Sequence, residues 1–175
     1  MVEDVKLARV ALVVIKLKID GENHLVMRRD SHWEDVNFIG GHEEPQDRSR
    51  LENTARRELL EEVPLFRTIK TFRLEPLTEE FEHGPVFSRS ARCPVKYTLR
   101  FFLLEFTEQP EHTLLNRLLS DKTLNLLISS RDLRENCYPM TSLIAVLDLA
   151  LKQGFNNIPL SWPYDIGSCY LTADH

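Results

Sequence analysis

The chain has 175 residues, of which 42% are hydrophobic and 28% charged, and its formal net charge is −5. This length suits one domain with a sizeable core, and the acidic balance excludes broad affinity for nucleic-acid backbones, which requires a basic face. No apolar run approaches the length of a membrane span, and the charged N-terminus lacks the core of a signal peptide. The cysteines are Cys93, Cys137 and Cys169. They form no zinc pattern, so we expect a reduced, cytoplasmic setting.

The first predicted element is a strand over residues 7–19, which are rich in Val and Ile. The Asp20-Gly21 dipeptide predicts a tight turn, and residues 24–29 form the returning strand. A loop over residues 30–37 then leads to a glycine pair. This order predicts a β-hairpin at the start of the domain.

A helix is predicted over residues 48–63. Its apolar positions recur every four residues and form a buried stripe of Leu51, Ala55 and Leu59, with Thr54 on the same side. Pro64 ends the helix because proline does not continue it comfortably.

The remaining predicted elements fill the second half of the chain. Strands are predicted over residues 66–75, 95–106 and 124–129, and helices over residues 114–119 and 141–152. Residues 76–94 are predicted as a long polar connection. We expect one domain over residues 1–154, followed by an extension over residues 155–175 that packs on or near it.

Three carboxylates lie close together on the predicted helix. Glu58, Glu61 and Glu62 stand at positions i, i+3 and i+4 of the sequence RELLEE, so they share one helix face. Like charges at this spacing weaken a helix, and a divalent cation reverses the sign of that interaction. Magnesium takes oxygen ligands and usually binds beside substrate phosphates. The pattern therefore indicates a magnesium site.

Residues 41–65 resemble the signature box of the Nudix hydrolase family. Gly41 matches the opening glycine of that box, and its helical half is matched in order by Arg57, Glu58, Leu59, Glu61, Glu62 and Leu65. The family has 13 residues between the glycine and the arginine, whereas this chain has 15. The glutamate within the loop of the box becomes Asp47 when counted forward from Gly41, and Ser49 when counted back from Arg57. Pro64 replaces a glycine.

The resemblance implies an α/β fold, the Nudix α/β/α sandwich with a mixed β-sheet. It also implies Mg²⁺-dependent hydrolysis of a diphosphate bond in a small nucleoside diphosphate-linked metabolite, with Mn²⁺ as a substitute. Glu58, Glu61 and Glu62 then carry the metal together with the Gly41 carbonyl, and either Glu58 or Glu62 takes the proton from water. Arg57 orients the glutamates. A homodimer is a further expectation from the family.

Five residues near the predicted pocket are candidates for substrate binding: Arg28, Arg29, Trp33, Phe38 and His42. The two arginines offer charged donors to phosphate, the aromatic rings suit stacking on a base, and His42 follows the glycine pair. The resemblance further implies a metal-binding acid from a later loop. Asp121 is the nearest candidate and Glu79, Glu80 and Glu82 are alternatives, while a solvated surface charge is the competing interpretation for each.

Two alternatives to a hydrolase remain. The altered loop and Pro64 are also consistent with a catalytically weak, Nudix-like nucleotide-binding or regulatory domain, since a fold does not by itself imply a reaction. A purely structural acidic helix without metal is the other alternative.

Overall fold

Two mixed β-sheets form the framework of the chain. The computed structural model describes residues 5–29, 36–120, 125–129 and 158–166. The strands are β1 (Lys6–Val14), β2 (Lys16–Ile19), β3 (Glu22–Arg29), β4 (Val36–Asn37), β5 (Ile39–His42), β6 (Phe72–Pro76), β7 (Phe81–Ser88), β8 (Cys93–Phe106), β9 (Asn125–Ser129) and β10 (Asp165–Ile166). The helices are α1 (Leu51–Glu62) and α2 (His112–Ser120), and short 3-10 helices cover Pro45–Asp47 and Pro64–Arg67.

The first sheet has the strand order β5-β1-β8-β6, and β7 pairs with the first half of β8. Strands β1 and β8 are parallel, with Lys6 opposite Val95 and Val14 opposite Leu103. The other pairs in this sheet are antiparallel. The predicted mixed sheet is therefore present, with the parallel pair at its centre.

The second sheet has the order β10-β2-β3-β4, and β9 pairs with β3. The strand predicted over residues 7–19 is in fact two strands, because the chain leaves the first sheet at Val14 and enters the second at Lys16. Residues on both sides of this break are buried, so the sequence shows no alternation that would mark it. The predicted hairpin is present as β2 and β3.

Helix α1 packs on one face of the first sheet. Its buried residues are Leu51, Thr54, Ala55 and Leu59, which is the predicted stripe. Leu51, Ala55 and Leu59 join a hydrophobic core that includes Ala11, Val13, Ile39, Phe102 and Leu104. Burial of this apolar surface holds the helix against β1 and β5. It stabilises the packed helix by roughly 25 cal/mol per Å² of apolar surface removed from water. The neighbouring acidic residues of the helix are thereby held at the end of β5.

The connection predicted over residues 76–94 contains strand β7, so that prediction was wrong. Its prolines and Gly84 disfavoured a strand, but β7 lies at a sheet edge, where proline is tolerated because one side of the backbone is unpaired. The pairing shifts register between His83 and Val86. The strand predicted over residues 66–75 begins only at Phe72. The helix predicted over residues 141–152 lies outside the described residues. Within the described parts, neither helix has the length and apolarity of a membrane span.

Residues 158–166 pack against β2. The buried Ser161 accepts a hydrogen bond at its Oγ from the Lys16 backbone N–H at 2.9 Å, and its own N–H donates to the Lys16 carbonyl at 2.7 Å. The Lys16 side chain is also buried, and its Nζ donates to the Ile158 carbonyl at 2.8 Å. Burial lowers the pKa of the Lys16 ammonium group. These bonds fasten the segment to the first half of the chain.

We predict that Ser161→Ala lowers the free energy of unfolding by about 1–3 kcal/mol, because it leaves the buried Lys16 N–H without its acceptor. Urea denaturation measures this change. Ser120→Ala, at the exposed end of α2, is the control and should stay within about 0.5 kcal/mol of wild type. Equal effects of the two substitutions would contradict the assigned role of Ser161.

Candidate active site

The site begins where β5 runs beside β1. Gly40 lies opposite Leu12 and Gly41 opposite Ala11 in this antiparallel pair. Gly40 has φ +148, and a Cβ there would lie 2.9 Å from the Leu12 Cα and closer still to the Ala11 carbonyl oxygen. Only glycine therefore allows β5 to lie this close to β1.

Gly41 has a different neighbour. A Cβ at this position would lie 2.6 Å from the Glu58 carboxyl carbon, so the Glu58 carboxylate rests directly against the Gly41 backbone. Burial raises the pKa of the Glu58 carboxyl, and the nearby Arg57 opposes this shift. The glycine pair thus brings the strand against a partly buried acid of α1.

Arg57 is the centre of the hydrogen-bond network. Its Nε and Nη2 donate to the two carboxylate oxygens of Asp47, each at 3.1 Å, in a bidentate pair. Nη2 also donates to the His42 carbonyl at 2.8 Å. Nη1 donates to Glu58 at 2.9 Å and to Glu61 at 3.1 Å. These acidic partners raise the pKa of Arg57, with the Asp47 hydrogen bond as the main cause. All five N–H groups of the guanidinium are thereby used.

Asp47 joins the loop to the helix. Its side chain is 3% exposed, and it also accepts hydrogen bonds from the Glu44 N–H and the Thr54 hydroxyl, each at 2.9 Å. The hydrogen bonds from Arg57 are the main reason that the pKa of the Asp47 carboxyl lies below its ordinary value. Asp47 is therefore an ionised, buried acid in the middle of the loop.

The structure distinguishes the two ways of counting the loop. Arg48 and Ser49, which follow Asp47, both have left-handed backbone conformations, with φ 54 and φ 56. This bend takes up the longer loop between Asp47 and the start of α1. The Ser49 carbonyl accepts a long hydrogen bond from Arg9 at 3.4 Å, whereas the Asp47 carboxylate faces Arg57. The structure thus places Asp47, the residue reached by counting forward from Gly41, against Arg57.

The paired glutamates at the end of the helix have different partners. Glu61 is about half exposed and bonds to Arg57 as an i,i+4 pair. The Glu62 side chain is only 11% exposed. Its Oε1 accepts a hydrogen bond from Nη1 of Arg28, and its Oε2 accepts one from the Gly40 N–H at 3.0 Å. The three acids of RELLEE are therefore divided between two arginines.

The predicted substrate residues are dispersed. Arg28 contacts the acidic face through Glu62, whereas Arg29, the next residue on β3, is exposed. Phe38 is 2% exposed and packs edge-on against Phe101 with ring centroids 5.5 Å apart, so it has no exposed ring face for a base and leaves the set of candidates. Trp33 lies outside the described residues, as does the candidate metal-binding acid Asp121.

His42 lies beside an open groove of about 770 Å³, bordered by β1, β7 and β8. Its ring centroid is 6.2 Å from that of Tyr97. Partial burial and then the charge of Lys6 lower the pKa of the imidazole. The groove also contains Lys96, which pairs with Glu82 at 2.7 Å. His42 therefore presents a ring to this groove while its carbonyl binds Arg57.

One organising residue was not predicted from the sequence. Arg9 on β1 bonds to Glu43 at 2.6 Å and to Glu80 at 3.0 Å, and so joins the loop after β5 to the chain before β7. A lone arginine within a Val-rich strand is the signal that could have identified it. Of the other acids considered for metal binding, Glu79 is exposed, and Glu82 pairs with Lys96.

A family model described as NUDIX domain matches residues 6–127. The chain belongs to the Nudix family. This membership confirms the family resemblance, the α/β class with its mixed sheet, and the prediction of a Nudix-type pyrophosphohydrolase. No curated protein sequence matches the chain.

Solved structures share the Nudix fold at low sequence identity. An Ap4A hydrolase from C. elegans is 14% identical with a TM-score of 0.55, over 83% of this chain and 96% of that one. The Nudix hydrolase RenU from M. smegmatis is 12% identical with a TM-score of 0.55, over 86% and 88%. The NUDIX domain of Shewanella oneidensis NrtR, solved with ADP ribose, is 12% identical with a TM-score of 0.52, over 86% and 89%.

Helix α1, which carries the acids of the Nudix box and is called the Nudix helix below, offers oxygen donors that suit a hard divalent cation. Among the described residues, no three acidic, histidine or cysteine side chains converge in the geometry of a metal site. Arg57 uses one oxygen of Glu58 and one of Glu61, and the structure records no hydrogen bond to the other oxygen of either, within the described ranges. The donor chemistry thus fits the ion, and the arginines are its competitors for these carboxylates.

We predict that Asp47→Asn lowers the free energy of unfolding by about 3–5 kcal/mol at pH 7, because it leaves the largely buried Arg57 without its main charge partner. The folded-state pKa of Asp47 lies below the unfolded value of about 3.9, so its contribution is present above that pH and is lost as the pH falls further. The difference between wild type and variant should therefore shrink below about pH 4.

Urea denaturation at a series of pH values measures this difference. Glu79→Gln removes an exposed carboxylate and is the control for a change in net charge. A wild type-to-variant difference that stays constant down to pH 2.5 would contradict the assigned role of the Asp47 charge.

The glycine pair offers two matched substitutions, one expected to affect the stability of the fold and the other the activity of the site. Gly40→Ala collides with the backbone of β1 and should destabilise the protein by at least about 1–3 kcal/mol. The three atoms nearest to a Cβ at Gly41 all belong to the Glu58 carboxylate, the end of a flexible side chain. Gly41→Ala should therefore keep its melting temperature within a few degrees of wild type and lower the rate of hydrolysis. Thermal melts and rates measured on both variants check this. A Gly41→Ala protein as unstable as Gly40→Ala would show that the Gly41 contact is structural.

Proposed function

We propose that this Nudix hydrolase cleaves a diphosphate bond in a small nucleoside diphosphate-linked metabolite, using a divalent cation, with Mg²⁺ as the first candidate and Mn²⁺ as a substitute. The observation that carries the proposal is the ordered acidic face of α1. Arg57 and Asp47 hold Glu58 and Glu61 at the glycine pair, and Glu62 lies at the same strand end. The Ap4A and ADP-ribose ligands named for similar folds support a nucleotide substrate.

Each part of the site has a role in this reaction. Glu58, Glu61 and Glu62 would hold the cation, which when bound neutralises phosphate charge and acidifies a coordinated water. Glu58 and Glu62 are partly buried, and either is placed to accept the proton of the attacking water. Arg57 is a positioning residue because all its donors contact protein atoms.

The groove beside His42 is the proposed place for the group beyond the diphosphate. It offers the rings of His42 and Tyr97 together with Lys6 and Lys96. An aromatic surface beside positive charge suits a base or sugar attached to phosphates. We further propose a cytoplasmic enzyme acting on small metabolites rather than on nucleic acid, with a homodimer as the expected assembly.

A second candidate is a nucleotide-binding domain with little catalysis. The observation that favours it is the engagement of Glu62, both of whose oxygens already bond to protein groups. Such a domain would bind ADP-ribose with no turnover. We rank it second because Glu58 and Glu61 each keep one oxygen for which the described structure records no hydrogen bond.

We predict that Glu61→Gln and Glu62→Gln each lower the hydrolysis rate by on the order of 10²-fold or more, since each removes a proposed metal-binding carboxylate, and Glu62 is also a candidate base. The assay measures phosphate release, with a coupled phosphatase, from nucleoside triphosphates, sugar nucleotides, ADP-ribose and dinucleoside polyphosphates. A chelator should abolish the wild-type rate.

Glu52→Gln is the matched control because it removes an exposed carboxylate from the first turn of the same helix. It should keep the wild-type rate within about twofold, as a surface change distant from the acids should. Full activity in Glu61→Gln and Glu62→Gln would refute the proposed site. Binding of ADP-ribose by calorimetry without any turnover would favour the second candidate.

A further inference from the structure

Arg28 lies at the end of β3 and contacts the acidic face of the Nudix helix. Its Nη1 bonds to Oε1 of Glu62, and its side chain is about one-third exposed. Within the described residues its buried Nε has no hydrogen-bond partner, and neither has the buried Oδ1 of Asn37, the residue opposite Arg28 on β4. Unlike Arg57, Arg28 therefore keeps donor capacity at the site.

The partners of Glu62 include an arginine and a backbone N–H group. Arg28 bonds to one of its oxygens, and the Gly40 N–H bonds to the other at 3.0 Å. A guanidinium and a divalent cation on one carboxylate repel each other, and partial burial at 11% exposure weakens the screening of that repulsion. Glu62 thus binds the cation well only when Arg28 has another anion to pair with.

A diphosphate supplies that anion. Phosphate oxygens accept the planar, forked donors of arginine in bidentate pairs, which a carboxylate bound through one oxygen does not match. Arg28 differs here from its neighbour Arg29, which is exposed on β3 and points to the opposite face because side chains alternate along a strand.

We propose that Arg28 is a substrate-binding residue that exchanges Glu62 for a phosphate of the substrate, so that diphosphate binding releases Glu62 for the metal ion. This inference rests on the proposed function and adds regulation of the same site. Without a diphosphate, the Arg28–Glu62 ion pair holds the site in a low-affinity state for the cation. With a diphosphate, the two ligands bind cooperatively, and the coupling between them is reciprocal.

The test measures binding rather than turnover. The probes are Mn²⁺, whose free fraction is measured by electron paramagnetic resonance, and α,β-methylene-ADP, a diphosphate whose bridging bond is not hydrolysed. The full chain is compared as wild type, Arg28→Met and Arg29→Met. Arg29→Met removes the same charge from the neighbouring position and controls for net charge.

Arg28→Met should bind Mn²⁺ alone about fivefold more tightly than wild type, because the competing cation is gone. The same variant should bind α,β-methylene-ADP on the order of 10-fold more weakly, because a charge-assisted contact is lost. Arg29→Met should leave both affinities within about twofold of wild type. This opposite change in the two affinities distinguishes exchange from a purely structural role, which would weaken both.

Arg28→Lys tests the inference even if Arg28→Met fails to fold. It keeps the charge that pairs with Glu62 but loses the planar guanidinium with its forked donors. Its affinity for Mn²⁺ alone should therefore stay within about twofold of wild type, while its affinity for α,β-methylene-ADP falls. The exchange would be overturned if a folded Arg28→Met bound Mn²⁺ alone no more tightly than wild type. It would also be overturned if Arg28→Lys kept the wild-type affinity for the analogue. Either result would leave the proposed function standing. A wild-type protein that binds neither Mn²⁺ nor α,β-methylene-ADP would overturn both the exchange and the proposed function.

Discussion

The site depends on the buried ion pair between Arg57 and Asp47. The planar guanidinium bonds both oxygens of Asp47 and, with its other N–H groups, reaches a strand carbonyl and two glutamates. Because the fork is rigid, fixing one set of partners fixes the others. The loop after β5 and the acidic face of α1 are therefore positioned relative to each other by a single side chain, itself held between sheet and loop.

The glycine pair makes this arrangement possible. At Gly40 the absence of a side chain allows β5 to lie against β1, and its N–H reaches Glu62. At Gly41 the absence of a side chain leaves room for the Glu58 carboxylate. Three acids on one helix face repel one another, and their hydrogen bonds to two arginines and to the Gly40 N–H compensate for that repulsion. The helix keeps an acidic face that would be unfavourable in isolation.

The same compensation sets the chemistry. The carboxylates that suit a divalent cation are already paired with arginines, so in the proposed reaction the cation competes with these arginines for the carboxylates. Arg57 has no donor to spare and acts as a fixed support. Arg28 has donor capacity left and is exposed enough to meet a ligand. Arg57 thus holds the acids, and Arg28 is the arginine to which the proposed exchange assigns the response to phosphate.

The sequence by itself determined the acidic helix, its buried stripe and the glycine pair, since these follow from spacing within a few residues along the chain. It did not determine that Asp47 rather than Ser49 faces Arg57, because the path of a longer loop depends on left-handed residues and on contacts with a distant helix. Nor did it decide that Arg28, not Arg29, meets the site, or that Phe38 is core. Alternation along a strand assigns residues to two faces, and only packing of the sheets and α1 decides what each face meets.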